Sequence, residues 1–303
     1  MSANDKESDL KDSFPQRTSS YVGRFTDTSR WDSFQVREDD IFVCTPPKCG
    51  TTWTQAICAL LIFDTPDYSG KLTNISPWFD SKLDSLENFL TTLESQKHRR
   101  FLKTHTPLDG IPYFPNSQYL IVYRDPRDAY FSLRNHRANM IDPPDSQQFS
   151  EDPEEGFLAW VNAPHLAGEG DQRSLQTFTQ HYESFRKYQH LQNFHFLHYA
   201  DMKRDLEASM RRIAKILNIG ISDKNLTRLC RAASFTEMKK KASTYAPSAG
   251  KSIFKNDSSF FSSGQNSQWR DALDGKAPEI YNNRVRALLP TGDIAWIENG
   301  ERG

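Results

Sequence analysis

The stretch 41-IFVCTPPKCGTTWTQAICALLIF-63 decides the fold of this chain. It opens with an apolar run, Ile41–Cys44, which predicts a strand, and it closes with residues 52–63, which predict a helix. Between them lies the turn Pro47–Trp53, which contains Gly50 and two threonines. A strand that ends in such a turn at a helix N-terminus directs backbone N–H groups and hydroxyls at one point, where the helix dipole is positive. The stretch therefore predicts an oxyanion site for a phosphate or sulfate group.

Two side chains of this turn extend the prediction. Lys48 adds a mobile positive charge, and Trp53 adds a flat ring on which a base can stack. The phosphate loop of nucleoside triphosphatases requires a glycine, four residues and then Gly-Lys-Ser/Thr. Here the lysine precedes Gly50, and the residue five positions upstream of Gly50 is Thr45. The turn is therefore predicted to differ from an ordinary ATPase or GTPase loop.

Composition limits the classes of function. With 303 residues, 37% of them hydrophobic, the chain can form a large core in one or two domains. Its 38 basic and 39 acidic residues give a net charge of -1, so no nucleic-acid partner is predicted. No segment has the composition of a signal peptide or the roughly 18 uninterrupted apolar residues of a membrane span. The four cysteines show neither metal-ligand spacing nor a disulfide pattern, which indicates reduced thiols in a cytoplasmic protein.

Short β-rich runs alternate with longer helical patterns, which predicts an α/β fold with a parallel sheet flanked by helices. The predicted strands are residues 41–45, 100–104, 119–123 and 193–199. Helices are predicted over residues 52–63, 86–93, 126 to about 139, and 206–217. We predict a polar N-terminal segment over residues 1–30 and a single domain over residues 31–303.

Polar side chains stand where three of the four predicted strands end. The first strand leads to Lys48, the second to Lys103 and His105, which are two residues apart, and the third to Arg124. Ligands bind outside the carboxyl ends of parallel strands, and residues two apart on a strand share a face. Each residue alone has an ordinary explanation as a solvated charge or a packed ring, whereas their joint placement favours one crevice. No cluster of histidine, cysteine and carboxylate has metal-ligand spacing, so no metal is predicted.

These motifs resemble those of the cytosolic-type sulfotransferases. The turn Pro47–Trp53 is similar to the 5′-phosphosulfate loop of that family, and residues 103–108 (KTHTPL) are similar to its Lys-Thr-His segment. Residues 119–128, with Ser132, resemble its 3′-phosphate motif. Residues 196–202 and 234–238 resemble its Tyr-Glu-Asp segment and its adenine-side stretch. Five motifs in order, from about residue 40 to 270, are a specific match, and bacterial glycolipid-type members look most similar.

The resemblance implies 3′-phosphoadenosine 5′-phosphosulfate (PAPS) as the sulfonate donor and a hydroxyl or an amine as the acceptor. It implies His105 as the general base, which suits an imidazole because its unperturbed pKa lies near neutrality. Lys48, assisted by Lys103, would stabilise negative charge on the bridging oxygen. The residues implied to bind PAPS are Lys48, Cys49, Gly50, Thr51, Thr52, Trp53, Arg124, Ser132, Tyr199, Ser234, Phe235, Met238, Phe261, Ser262, Ser263 and Gly264.

Two positions depart from the family pattern. Cys49 stands where the loop usually has serine, and a thiol at a helix N-terminus beside a lysine can have a lowered pKa. Redox sensitivity is one interpretation of Cys49, and isosteric replacement is the favoured one. Residues 262–264 read Ser-Ser-Gly where the family has Arg-Lys-Gly. Because a charged hydrogen bond is worth roughly 1.5–3 kcal/mol, we expect donor binding to depend more heavily on Arg124.

The acceptor side is less specified. Trp78, Phe79, Phe114 and Trp160 are predicted to line an apolar or sugar-stacking pocket, with ordinary core packing as the alternative. The predicted acceptor is a small molecule or a glycolipid. Two other functions stay open: a kinase, which would need magnesium, and a non-catalytic binder of adenosine 3′,5′-bisphosphate. The oligomeric state is also open, because the dimer signature of animal relatives is not found.

Overall fold

Four parallel strands form one sheet at the centre of the molecule. The computed structural model describes residues 14–143, 146–246, 254–255, 260–261 and 264–301. The strands are β1 (Ile41–Cys44), β2 (Phe101–Thr104), β3 (Gln118–Tyr123) and β4 (Phe194–His198). Their order across the sheet is β2-β1-β3-β4, and each neighbouring pair is parallel. All four predicted strands are confirmed, and each end differs from its prediction by at most one residue.

Helices connect the strands and cover both faces of the sheet. In the described ranges they are α1 (Thr51–Phe63), α2 (Leu72–Ile75), α3 (Leu86–Ser95), α4 (Pro126–Ala138), α5 (Pro153–Asn162), α6 (Leu175–Arg186), α7 (Tyr199–Arg204), α8 (Leu206–Ile216), α9 (Asp223–Ala232), α10 (Phe235–Lys240), α11 (Ala242–Tyr245), α12 (Ala277–Leu288) and α13 (Thr291–Asn299). The start of α4 is set by a capping side chain and a proline. The Asp125 carboxylate accepts a hydrogen bond from the Arg127 backbone N–H, and Pro126 takes the first helical position of α4.

Alternating side chains of the strands enter two separate cores. Phe42 and Tyr119 pack on one face with aromatic residues of the later helices, including Tyr281 of α12. Val43 and Leu120 pack on the other face, against α1 and α8. Both faces of the sheet are therefore covered, which is why its strands read as continuous apolar runs. This arrangement leaves the carboxyl ends of the strands as the place where polar side chains gather.

The described part of the N-terminal segment packs against the domain. The backbone N–H groups of Thr18 and Ser19 donate to the Asp109 carbonyl at 2.8 and 2.9 Å. The Tyr21 side chain is buried, and its hydroxyl lies 3.1 Å from the Asp109 carboxylate. A domain boundary after residue 30 stays a prediction. This packing places Arg24 and Phe25 in the wall of a cavity at the carboxyl ends of the strands.

Candidate active site

The turn between β1 and α1 has the backbone of an anion cradle. Lys48 and Gly50 both adopt positive φ, 70° and 96°. A Cβ on Gly50 would lie 2.9 Å from Cδ2 of Tyr199, so both conformation and space require glycine here. The Oγ1 atoms of Thr45 and Thr51 are 2.6 Å apart, which ties the end of β1 to the first turn of α1. The first N–H groups of α1 have no acceptor within the helix and are available to an anion.

A cavity of about 830 Å³ opens at the carboxyl ends of β1, β2 and β3. Most of the residues predicted for the site line it together. These are Lys48, Gly50, Thr51, Thr52, Trp53, Trp78, Lys103, His105, Arg124, Ser132, Tyr199, Phe235, Met238, Phe261 and Gly264. Residues from four strand ends and from helices far apart in sequence therefore surround one space.

His105 follows β2 and is held in a defined orientation. Its Nδ1 lies 2.8 Å from the Thr45 carbonyl oxygen, and because a carbonyl only accepts, Nδ1 must carry the proton. The ring also makes an edge contact with Trp78, at 5.0 Å between centroids. Burial, and then the Lys103 ammonium, lower the pKa of His105 well below its usual value. The imidazole is therefore neutral at pH 7, with a lone pair on Nε2 that can accept a proton.

Two lysines bring positive charge to the cavity. Burial, followed by repulsion from Arg124 and Lys103, lowers the pKa of Lys48 to about 7. Burial lowers the pKa of Lys103 to about 8, against a smaller opposing effect of Asp80. Across the described ranges, no carboxylate lies within ion-pair distance of either ammonium. Lys103 instead stacks over the ring of Trp78, with Nζ 5.2 Å from its centroid.

Arg124 is a third cation, held rigidly between β3 and α4. Its guanidinium lies 4.5 Å from the centroid of the Tyr199 ring, and Nη2 donates to the Gln265 carbonyl at 2.7 Å. The Asp128 carboxylate is 3.9 Å from Nη2. The Nε–H of Arg124 is buried and has no hydrogen-bond partner in the described part of the chain.

Rings form another part of the wall. Trp53 and Tyr199 meet edge to face at 5.3 Å, and the Trp53 indole N–H donates to the Ala233 carbonyl at 2.8 Å. Met238 is buried beside them, and Phe235 is exposed by 38%. Ser234 does not line the cavity but caps α10, because its side chain accepts from the Glu237 N–H. Its predicted ligand role gains no geometric support from this position.

Cys49 is buried below the loop and does not line the cavity. Burial raises the pKa of its thiol to about 12, and this effect outweighs the opposite influence of Arg124 and Lys48. The structure therefore gives no support to a Cys49 thiol activated by the helix N-terminus. The isosteric interpretation stays the favoured prediction.

The aromatic residues predicted for the acceptor pocket lie in different parts of the structure. Trp78 lines the cavity, whereas Phe79 is fully buried and packs against Trp31 and Phe34. Phe114 stacks on Phe42, and Trp160 borders a smaller cavity of about 50 Å³ behind His105. Phe79 fills the core on one face of the sheet and Phe114 is half-buried against it, so neither ring lines the cavity as predicted. Ser262 and Ser263 lie outside the described residues.

Several residues of the cavity wall were not predicted from the sequence, and His136 is one of them. His136 lines the cavity, and its Nδ1 lies 3.3 Å from the Lys48 ammonium nitrogen. The available signal was its spacing: His136 follows Ser132 by four residues on α4, so both lie on one face of the helix. No group of three potential metal ligands occurs among the described residues, and no helix there is long and apolar enough to cross a membrane.

Comparisons with known proteins agree with this geometry. The sulfotransferase domain family matches residues 38–290. A glycolipid sulfotransferase of Mycobacterium bovis is 33% identical over 313 residues, covering 93% of this chain and 95% of that protein. The structure of a mouse sulfotransferase complexed with PAP superposes with a TM-score of 0.67 at 21% identity, covering 88% and 90% of the two chains. The structure of retinol dehydratase in a complex with retinol and PAP superposes with a TM-score of 0.69 at 20% identity, covering 86% of this chain and 83% of that chain.

The family match spans most of the chain, so this protein belongs to the sulfotransferase family. Its activity is the transfer of a sulfonate group. The structural neighbours, at about 20% identity, establish the shared α/β fold with its parallel sheet.

Proposed function

We propose that this enzyme transfers a sulfonate group from PAPS to a hydroxyl, or an amine, of a small-molecule or glycolipid acceptor. The observation that carries the proposal is the set of cations in the cavity. Lys48 and Lys103 have no carboxylate partner among the described residues, and Arg124, with the Asp128 carboxylate 3.9 Å away, lines the same cavity. Cations held in a low-dielectric cavity without counterions favour a polyanionic ligand. PAPS, with two phosphates and a sulfate, is such a ligand.

The donor fits the residues that are present. The amides and hydroxyls at Gly50–Thr52 would hold the 5′-phosphate at the start of α1. Arg124 and Ser132 would hold the 3′-phosphate, and Trp53, Tyr199 and Phe235 would surround the adenine. When bound, PAPS supplies an activated sulfonate on a phosphate leaving group.

The chain supplies the proton transfer and the stabilising charge. Nε2 of His105 accepts the proton of the attacking hydroxyl, since Nδ1 is occupied by its bond to the Thr45 carbonyl. The Lys48 and Lys103 ammonium groups stabilise the negative charge that grows as the bond to the leaving oxygen breaks. These groups are fixed before the reaction, so little reorganisation is required.

The remaining cavity wall indicates an acceptor with apolar and polar parts. Trp78, Leu83 and Phe149 present apolar surface, whereas Asp171 and Arg173 present charge. A glycolipid head with its first methylenes has both characters, and the Mycobacterium relative carries the name glycolipid sulfotransferase. We propose a cytoplasmic location, where PAPS would meet such acceptors.

Incubation of the protein with labelled PAPS tests the proposal. The acceptor panel contains a bacterial lipid extract, p-nitrophenol and an aliphatic amine. We expect label in a lipid or phenol product with the wild-type protein and none with His105→Ala, while both proteins bind adenosine 3′,5′-bisphosphate (PAP) equally. A wild-type protein that binds PAP but labels none of these acceptors would favour the non-catalytic binder. Equal labelling by His105→Ala would remove His105 from the proposed mechanism.

A further inference from the structure

Lys48 has an unusual partner for a cation of an active site. Its Nζ lies 3.3 Å from Nδ1 of His136, near the C-terminal end of α4, and 4.6 Å from the centroid of the Phe260 ring. In the described ranges His136 is its only hydrogen-bond partner. The His136 ring is itself fixed by edge contacts with Phe254 and Phe260, at 4.8 and 5.7 Å.

The chemistry of this pair is specific. When Lys48 is protonated it has no lone pair, so in that state Nδ1 of His136 accepts the hydrogen bond and the imidazole is neutral. Burial, and then the charges of Lys48 and Lys103, lower the pKa of His136 well below its usual value, which keeps it neutral. A carboxylate at this position would cancel the positive charge of Lys48. A neutral imidazole orients the ammonium and leaves its full charge for an anion in the cavity.

We propose that His136 is a positioning residue, which holds one N–H of the Lys48 ammonium and directs the others toward the 5′-phosphosulfate site. The inference rests on the proposed use of PAPS as the donor. His136 acts here only through Lys48. Its removal should therefore matter when Lys48 is present and should have no further effect when Lys48 is absent.

A double-mutant cycle measured by calorimetric titration with PAP tests this dependence without requiring the acceptor to be known. We expect His136→Phe to weaken PAP binding about 10-fold, the usual loss for one charge-assisted hydrogen bond. Lys48→Met should weaken it at least as much, and the double variant should match Lys48→Met within about 2-fold. His136→Asn, whose amide oxygen can replace Nδ1 as acceptor, should recover most of the affinity.

The matched control is His195→Phe, because His195 is also part-buried but binds Gln118 on the sheet and does not line the cavity. This control should leave PAP affinity unchanged. If His136→Phe does not fold, His136→Leu carries the same cycle. Additive losses, or tighter PAP binding in His136→Phe, would overturn the positioning role while leaving PAPS as the donor. Failure of the wild-type protein to bind PAP would overturn the proposed function together with this inference.

Discussion

Arg124 should dominate the binding of the 3′-phosphate. The guanidinium is already ordered before any ligand binds, by its contact with Tyr199 at 4.5 Å and its bond to the Gln265 carbonyl at 2.7 Å. A ligand phosphate would therefore gain charged hydrogen bonds without a large cost in side-chain entropy. Two such bonds at roughly 1.5–3 kcal/mol each, reduced by the desolvation of the phosphate, give about 3 kcal/mol. Arg124→Ala should therefore weaken PAP binding about 150-fold.

The folded state should survive this substitution. Asp128 loses a cation 3.9 Å away but keeps two backbone hydrogen bonds, from the N–H groups of Ser267 and Gln268 at 2.8 and 3.0 Å. Calorimetric titration with PAP and with adenosine 5′-monophosphate separates the contribution of the 3′-phosphate. We expect a large loss for PAP and a loss of less than about 3-fold for the monophosphate.

A matched arginine is available as the control. Arg270 is exposed and stacks on Trp269, and it does not line the cavity. Arg270→Ala should therefore leave PAP affinity within about 2-fold of the wild-type value. Unchanged PAP affinity in Arg124→Ala, or equal losses for both nucleotides, would refute the assignment of Arg124 to the 3′-phosphate.

Three other predictions follow from the loop and its lysines. The pKa values of Lys48 (about 7) and Lys103 (about 8) should rise when an anion binds, so PAP binding should take up protons above pH 7. If both lysines are protonated in the complex, PAP affinity should fall by up to about 100-fold from pH 6 to pH 8.5, as measured by calorimetry in buffers of different ionisation enthalpy. Affinity that stays constant over this range would contradict these pKa values. Gly50 has a φ of 96°, and the methyl group of Gly50→Ala would lie 2.9 Å from Tyr199. This substitution should therefore lower the free energy of unfolding by about 1–3 kcal/mol in denaturant titrations and reduce PAP affinity. Wild-type stability in that variant would show that the loop is not strained. Cys49→Ser should keep PAP affinity within about 2-fold of the wild-type value. In the wild-type protein the Cys49 thiol, with a pKa of about 12, should resist alkylation at pH 7.5 with or without PAP. Rapid alkylation would contradict the burial of this thiol.

The strands and the cradle were predictable because their signals are local. Apolar runs of four to six residues are sufficient to predict buried parallel strands, as β1 and β3 show. The start of α4 followed from Asp125 and Pro126, whose cap and fixed φ act on neighbouring residues. The order of these elements then placed Lys48, His105 and Arg124 at adjacent strand ends, where the cavity lies.

The acceptor side was less predictable because most of the rings predicted for it lie outside regular elements. Phe79 and Trp78 are adjacent in sequence, yet one fills the core and the other lines the cavity. No periodicity of strand or helix extends through this stretch to show which ring points inward. The burial of Cys49 could not be predicted for the same reason, because the side chain of a loop residue can point to either side of its backbone.

The sequence by itself determined the class of fold, the anion-binding turn and the family, because each depends on residues that are neighbours along the chain. Only the tertiary structure decided which side chains meet across it. Lys48 and His136 are 88 positions apart, and their contact depends on how α4 packs against the loop after β1. The low pKa of His105 likewise comes from burial and from Lys103 together. Such distances and dielectric surroundings exist only after the chain has folded, because packing sets them and no local pattern encodes them.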